Sequence, residues 1–475
     1  MSSLWGFLVL EGYLLTLLLV PWVFFQRKKT STAILAWIMA IIMLPYVGGF
    51  LFLIFGTNNV RRRQQRRRDA AARINRYMPG IPQYELMLDE VAPQVRRLTR
   101  LAERVGGNKA SAGNKVELIN DTNRAFGLIE QGITQSTRFI NLEYYIWQPD
   151  RTGTQLRDLL IERAKAGVQI RFLYDGFGSM RIRRRFLQPM HDVGIRTAAA
   201  MPGASFRERW SINFRNHRKI VLCDGQVAFT GGMNVGDDYR GLNPRIGFWR
   251  DTHLGIRGPA VLQLQQVFAE DWFYATGEEL SGPEWYPIPE TMGDHMAQVV
   301  PGGPYGGADA FHHLFFAAIN EAENRITLAT SFFVPTPPLV TALETAAYRG
   351  VSVRLMLAGK PDIRGMLTAG RAFYDTLLES GVEIYEYQEG LQHAKTLTID
   401  GRWSLVGSPN FDSRSVLLNF EVAVAFDSPA LAEQLEDHFV RDCLRAKKID
   451  PATWQQRGMI PRIAEQAIRL FSPIL

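Results

Sequence analysis

The chain has 475 residues, 46% hydrophobic and 21% charged, with a formal net charge of +7 and two cysteines, Cys223 and Cys443. The length accommodates several domains, the cysteine count argues against a disulfide framework, and the positive balance suits an anionic partner, either a membrane or a nucleic acid. No His/Cys/Asp cluster has metal-ligand spacing, and neither a P-loop nor a dinucleotide-binding glycine string occurs, so no metal and no cofactor are expected and side chains must carry the chemistry.

Residues 4–25 are almost wholly apolar apart from Glu11, and residues 33–55 carry no charge. Each stretch is about 22 residues, roughly 33 Å as a helix, enough for a bilayer core of ~30 Å. No basic region precedes the first stretch and no small-residue cleavage site follows it, so a removed signal peptide is not expected. Arg61, Arg62, Arg63, Arg66, Arg67 and Arg68 follow the second stretch, against Arg27, Lys28 and Lys29 in the connecting loop. The positive-inside rule then places the C-terminal part in the cytoplasm behind a hairpin of two crossing helices. Pro45 with Gly48 and Gly49 divides the second stretch into halves too short to span alone, which leaves a re-entrant or interfacial hairpin as the alternative. The arginine cluster should also attract anionic headgroups, at about 1 kcal/mol per charge near the surface.

The expected boundaries are 1–60 for the hairpin, 61–114 for a basic segment and linker ending in an amphipathic helix, and 115–290 and 291–475 for two α/β subdomains. Residues 115–120 read as a strand and 122–131 as a capped helix. From there the chain repeats itself, strand 138–147 matching 325–334, and strand 168–175 matching 351–357. Helices between them end in Ala166-Gly167 and Arg349-Gly350, and 186–195 matches 373–384. Strand and helix alternating with a period of about 180 residues indicate two α/β subdomains and not a solenoid.

Each subdomain carries one copy of H-x-K-x4-D-G. The first has His217, Lys219, Asp224 and Gly225, then Gly231 and Asn234; the second has His393, Lys395, Asp400 and Gly401, then Gly407 and Asn410. The apolar, β-branched residues 219–223 and 396–399 read as strands, so His and Lys, two apart, share a face. Imidazole beside ammonium suits a phosphate: lysine neutralises non-bridging oxygens, and histidine attacks phosphorus or moves a proton. Asp224 and Asp400 have the opposite parity and sit in Asp-Gly dipeptides that close tight hairpins, so they read first as turn-formers or anchors and second as members of the catalytic set. Asn234, Asn410 and Ser408 stand at the exits of the returning strands as candidate phosphate contacts. A catalytic imidazole also wants a carboxylate on its second nitrogen; the candidates are Asp251 after the first copy and Glu421 after the second.

The paired motifs with Gly and Asn downstream resemble the phospholipase D superfamily. The two apolar N-terminal segments and the string Phe229-Thr230-Gly231-Gly232-Met233-Asn234 resemble bacterial cardiolipin synthases in particular. The resemblance implies an α/β fold of two pseudo-symmetric phospholipase D-like subdomains, with the active site between them and a transmembrane hairpin in front. It implies transfer of a phosphatidyl group between two phosphatidylglycerol molecules, giving cardiolipin and glycerol through a phosphatidyl-histidine intermediate. His217 would be the nucleophile and His393 the acid–base. The implied partners are phosphatidylglycerol and other anionic phospholipids, and the implied place is the bacterial cell membrane, multi-pass, with the catalytic part on the cytoplasmic side.

A phospholipase D, or a phosphatidyltransferase with another acceptor, uses the same residues. A nuclease of the superfamily fits the charge but not the apolar start, so no nucleic-acid partner is expected, and the intact motifs speak against a non-catalytic scaffold. Oligomeric state is left open. Residues 176–216, with Arg181, Arg183, Arg184, Arg185, Arg207 and Arg209 among Met180, Phe186 and Trp210, are a candidate for the headgroup layer. So is the tail 458–475, where Ile460, Ile463, Ile468, Leu470, Phe471 and Ile474 mix with Arg462 and Arg469. The plainer alternatives are a solvated loop and a docked terminal helix.

Overall fold

The computed structural model describes residues 2–25, 31–53, 84–86, 91–200, 214–244, 247–304, 309–360 and 364–470, and the chain divides into two compact units. The basic residues at 27–29, 61–63 and 66–68, together with Arg207, Arg209, Trp210, Phe471 and Ile474, lie outside the described residues.

The first unit contains α1 (Ser2–Phe24), α2 (Ser31–Met43) and α3 (Pro45–Leu51). A residue before proline is pushed out of the helical region, and proline has no N–H to donate. Leu44 accordingly sits at φ −135°, ψ 70°, and the second apolar stretch becomes two short helices. Gly49 lets α3 come close to α1, because a Cβ there would lie 2.8 Å from Leu19 Cδ1. The unit packs around Leu19, Val23, Ile41 and Phe52, with Trp22 and Trp37 edge-on to Phe52. Among the described residues no helix is long and apolar enough to cross a membrane, so the expected pair of crossing helices is not shown. The break at Leu44-Pro45 is the physical reason in the second stretch.

The second unit is built on one sheet of 15 strands. In chain order the first half has β1 (Ser111–Ile119), β2 (Phe139–Tyr144), β3 (Gln169–Tyr174), β4 (Arg196–Ala199), β5 (Ile220–Cys223), β6 (Val227–Gly231), the separate short β7 (Trp249–Arg250) and β8 (His253–Arg257). The second half has β9 (His295–Gly302), β10 (Arg325–Thr330), β11 (Phe333–Val334), β12 (Ser352–Ala358), β13 (Glu383–Tyr387), β14 (Leu391–Gln392), β15 (Thr396–Ile399), β16 (Trp403–Gly407), β17 (Phe411–Asp412), β18 (Glu421–Asp427) and β19 (Ala446–Lys448). Outward from the centre one half runs β1-β8-β6-β5-β2-β3-β4 and the other β9-β18-β16-β15-β10-β12-β13. The halves therefore share one plan, and antiparallel pairing of β1 with β9 joins them.

Helices cover both faces. In the first half α4 (Pro93–Gly106) leads in, followed by α5 (Thr122–Gln135), whose first turn is capped by the Asp121 carboxylate on the Arg124 N–H, and α6 (Arg151–Lys165). Phe126, Ile129, Leu156 and Leu160 of α5 and α6 pack on Ile140, Leu142 and Phe172, while α7 (Ala260–Thr276) covers the opposite face through Leu264, Phe268 and Trp272. Helix α4, read as a linker, is part of the second half's core: Val95, Leu98 and Ala102 pack with Val300, Phe311 and Phe315.

The hairpins between β5 and β6 and between β15 and β16 form as the Asp-Gly dipeptides predict. Asp224 and Gly225 have φ 55° and 68°, and Asp400 and Gly401 have φ 53° and 65°, the left-handed pair at the centre of a type I′ turn, within loops between the paired Cys223 and Val227 and the paired Ile399 and Trp403. The Asp224 carboxylate accepts from the N–H groups of Thr137, Arg138 and Phe139 at 2.8–2.9 Å. Asp400 accepts from those of Glu323, Asn324 and Arg325 at 2.7–2.9 Å, and from Gln94 Nε2. Each thus anchors the start of the neighbouring strand, β2 or β10, at the end of the hairpin strand away from the histidine. Seven residues along, with opposite parity, each aspartate stands at the far end of its strand from the histidine, which fits the anchoring reading weighed first. Asp224→Ala should lower stability by about 3 kcal/mol through lost charge-assisted bonds and left-handed strain. Asp224→Gly should cost less, and chemical denaturation in detergent checks both, with activity of the folded fraction kept within about tenfold.

Candidate active site

Lys219 precedes β5 and Lys395 precedes β15, so each His-x-Lys unit lies where its hairpin strand begins. Both histidines are buried, His217 8% and His393 6% exposed, and so are both lysines. His217 Nδ1 lies 2.9 Å from Glu421 Oε2, and His393 Nδ1 lies 2.7 Å from Asp251 Oδ2. The two carboxylates singled out in the sequence are therefore both on histidines, but exchanged: each orients the imidazole of the other half.

The backbone sets up this exchange. β14, which leads into His393, pairs in parallel with β7, which leads into Asp251; the His393 N–H donates to the Arg250 carbonyl at 2.7 Å. Asn216 bridges in parallel to Phe420, and the His217 N–H donates to the Phe420 carbonyl at 2.8 Å. Two buried arginines brace the same seams. Arg218 donates to the Glu421 carbonyl at 3.0 Å and the Gly302 carbonyl at 3.1 Å and pairs with Asp271. Arg250 pairs with Asp442 at 2.9 Å, on α10 of the second half, numbered after α8 (Ala310–Glu321) and α9 (Pro337–Tyr348) and spanning Pro429–Cys443.

The carboxylates differ in length, and their surroundings differ to match. Ser408 Oγ donates to Glu421 Oε2, and Asn419 Nδ2 donates to Oε1 at 3.3 Å. In the first half the corresponding residue is Gly232, where a Cβ would lie 2.3 Å from Asp251 Oδ1. The shorter Asp draws its carboxylate into the space a serine would fill. Ser408 thus supports Glu421, and its hydroxyl proton is directed to that carboxylate.

Lys219 Nζ donates to the His217 carbonyl at 2.6 Å and lies 5.3 Å from the Tyr145 ring centroid. Lys395 Nζ donates to the His393 carbonyl and to Ser331 Oγ, at 2.7 Å for the latter, and Ser331 donates in turn to Asn410 Oδ1 at 3.2 Å. Asn234 is tied to the frame: its Oδ1 accepts the Ile146 N–H at 3.1 Å and its Nδ2 donates to the Tyr239 hydroxyl at 2.8 Å. Tyr145 lies edge-on to His217, and Trp249 and Tyr239 flank His393.

Burial pushes the His217 imidazole down to about 4 and His393 to about 3, and pushes the Lys219 ammonium down to about 7. Both imidazoles are thus neutral at pH 7, and because Nδ1 faces a carboxylate, its N–H is on that side and the Nε2 lone pair is directed elsewhere. The arrangement holds two oriented nitrogen bases beside two lysines, which can bind a phosphodiester and perform nucleophilic and proton-transfer steps on it. Among the described residues no group of His, Cys, Asp and Glu is placed to hold a metal ion.

The family profile described as cardiolipin synthase, PLD-like domain, matches residues 129–272 and 315–443, one segment around each histidine. Cardiolipin synthase 2 of Bacillus cereus is 36% identical over 462 residues, 96% of this chain and 90% of that protein. The cardiolipin synthase of a Geobacillus species is 37% identical over 455 residues, 95% of this chain and 90% of that protein. The chain belongs to the cardiolipin synthase family of the phospholipase D superfamily. It is a phosphatidyltransferase of that family. A crystal structure of phosphatidylserine synthase from Haemophilus influenzae matches with a TM-score of 0.61 at 13% identity, covering 80% of this chain and 98% of that one, and shares the fold.

Several residues of the enzyme's site escaped the sequence reading. Trp249 and Arg250 stood beside Asp251 without being weighed, and Ser331 gives no local signal. His253 is buried with neither ring nitrogen hydrogen-bonded among the described residues. It pairs in register with Gly231 and its ring nitrogen would lie 2.6 Å from a Cβ there, while the matching position of the second half is Ala423 beside Gly407.

Gly232→Ser should lower activity at least about 100-fold, because it displaces Asp251 and unsettles His393. Adding Asp251→Glu, which copies the second half's pair, should restore activity to within about tenfold, read as initial rate of product formation. Burial pushes the His253 imidazole down to about 4 as well. Unfolded histidines bind protons below about 6.5 while these folded ones refuse them, so stability should fall as pH drops from about 6.5 toward 4. His253→Ala should flatten that slope in unfolding measured at pH 7.5 and pH 5.

Proposed function

We propose that this enzyme transfers a phosphatidyl group from one phosphatidylglycerol to another, releasing glycerol and forming cardiolipin. The observation that carries the reading is the pair of buried imidazoles, each held through Nδ1 by a carboxylate of the other half and each beside a lysine. The names of the relatives, cardiolipin synthases over nearly the whole chain, support the choice of lipid.

His217 Nε2 attacks phosphorus of the first phosphatidylglycerol. The bond from phosphorus to the glycerol headgroup oxygen breaks, and His393, as imidazolium, gives that oxygen its proton. The second phosphatidylglycerol then enters, its headgroup hydroxyl loses its proton to His393, and its oxygen displaces His217 from phosphorus. We assign the nucleophile to His217 on the superfamily pattern, since the two halves are near-symmetric. Lys219, Lys395, Asn234 and Asn410 hold the non-bridging oxygens. His393 is neutral at pH 7 without a phosphodiester beside it; the negative charge of the entering phosphodiester favours its protonation and brings the acid into being when the substrate arrives. A membrane-associated place at the bacterial cell membrane follows from the lipid substrate. The broken hairpin of the first unit suits burial in one leaflet with the catalytic unit on the cytoplasmic side, where the arginines at 61–68 direct it.

The test is mass spectrometry of the lipids after incubating the purified enzyme in phosphatidylglycerol bilayers. Cardiolipin and free glycerol are expected, absent with His217→Ala and reduced about 100- to 10,000-fold with Glu421→Gln. Phosphatidic acid alone would make water the acceptor and the protein a phospholipase. Cardiolipin from the His217→Ala enzyme would remove that residue from the chemistry.

A further inference from the structure

A surface helix normally buries its apolar stripe and turns its charges to water. Helix α11 (Met459–Arg469) does the reverse. Met459, Ile460, Ile463, Ala464, Ala467 and Leu470, recurring at the three- and four-residue spacing of one helical face, are exposed, with Ile460 82%, Ile463 60% and Leu470 79% accessible. The inward face is polar apart from Ile468, which packs against the core of the second half. Glu465 is only 6% exposed and pairs with Arg457 at 2.7 Å; Arg457 also binds Asp375 at 3.0 Å and stacks on Trp454. Arg469 lies over Phe373, and Arg462 donates to the Gln455 carbonyl at 3.1 Å. Rolling the helix over to hide its apolar stripe would turn Glu465 outward and break its pair with Arg457.

We propose that this stripe is the surface by which the catalytic unit rests on an anionic phospholipid bilayer, a proposal that rests on the reading of the substrate as such a lipid. Two observations choose the occupant. The chain continues from the stripe into Phe471-Ser472-Pro473-Ile474-Leu475, which carries no charged side chain and extends the apolar run. The charges from residue 456 onward are Arg457, Arg462 and Arg469 against Glu465 alone; Arg457 and Glu465 pair inward with each other, which leaves Arg462 and Arg469. That leaves an apolar face edged by cations, the pattern that inserts below the headgroups of an anionic leaflet; a second copy of the chain would bring like charges together.

The experiment places a nitroxide on Ile463→Cys, and for comparison on the exposed polar Gln456→Cys, in the full-length enzyme carrying Cys443→Ser. The protein is reconstituted in vesicles of equal parts phosphatidylglycerol and phosphatidylethanolamine. Position 463 is expected to be reached by oxygen in preference to a water-soluble nickel relaxant, and position 456 the opposite. Preference for nickel at 463, or spin–spin broadening that reports a neighbouring copy, overturns the proposal. In parallel, Ile460→Ser, Ile463→Ser and Leu470→Ser combined should lower turnover about tenfold on these vesicles and leave turnover of dispersed short-chain phosphatidylglycerol unchanged. Equal loss on both substrates would mean that the stripe serves the fold and not the membrane. Oxygen access at 463 is read without turnover, so it survives a failure of the cardiolipin reading and the two outcomes remain separate.

Discussion

A neutral imidazole buried beside ammonium groups stays in one orientation only if something negative holds its second nitrogen, and here that something always comes from the other half of the chain. Glu421 reaches His217 and Asp251 reaches His393. The rest of the catalytic unit can be derived from that exchange. The parallel pairing of β7 with β14 and the bridge from Asn216 to Phe420 deliver each carboxylate to its target, and Arg218 and Arg250 keep the seams closed. Even the mismatch between Gly232 and Ser408 is a consequence, because one carboxylate is a methylene shorter than the other and occupies the place of a hydroxyl.

The electrostatics of the site point to its ligand. Two lysines and two histidines are removed from water together, and burial pushes the proton affinity of His217, His393 and Lys219 down. Such a site is poised for an anion, which would return stability to the charged forms of all four groups at once. The same charge that is bound also arms the acid, so reactivity is tied to occupancy.

Local chemistry was legible in the sequence; long-range partnership was not. Strand parity put His and Lys on one face and the aspartates off it, and the Asp-Gly dipeptides gave hairpins whose turn residues have the expected positive φ. Pro45 warned of the break that leaves the second apolar stretch in two pieces. The exchange of Asp251 and Glu421 depends on how two halves meet, and nothing within either half encodes it. Ser408 looked like a phosphate contact because it occupies a strand exit, and its hydrogen bond to Glu421 was not legible there. Helix α4 lies before the first subdomain in sequence yet packs into the second, a choice made by the apolar surface of α8 and β9.

The join between the halves is a β-ladder, β1 against β9, and not a flexible hinge. Cutting the chain there would leave each fragment with an open strand edge whose N–H and C=O groups seek a partner. Each fragment would also hold a histidine without its carboxylate and a carboxylate without its histidine. Two such fragments, paired edge to edge, would complete each other's dyads. The single chain thus keeps the logic of a two-fold dimer, in which neither member is an enzyme until the other is present.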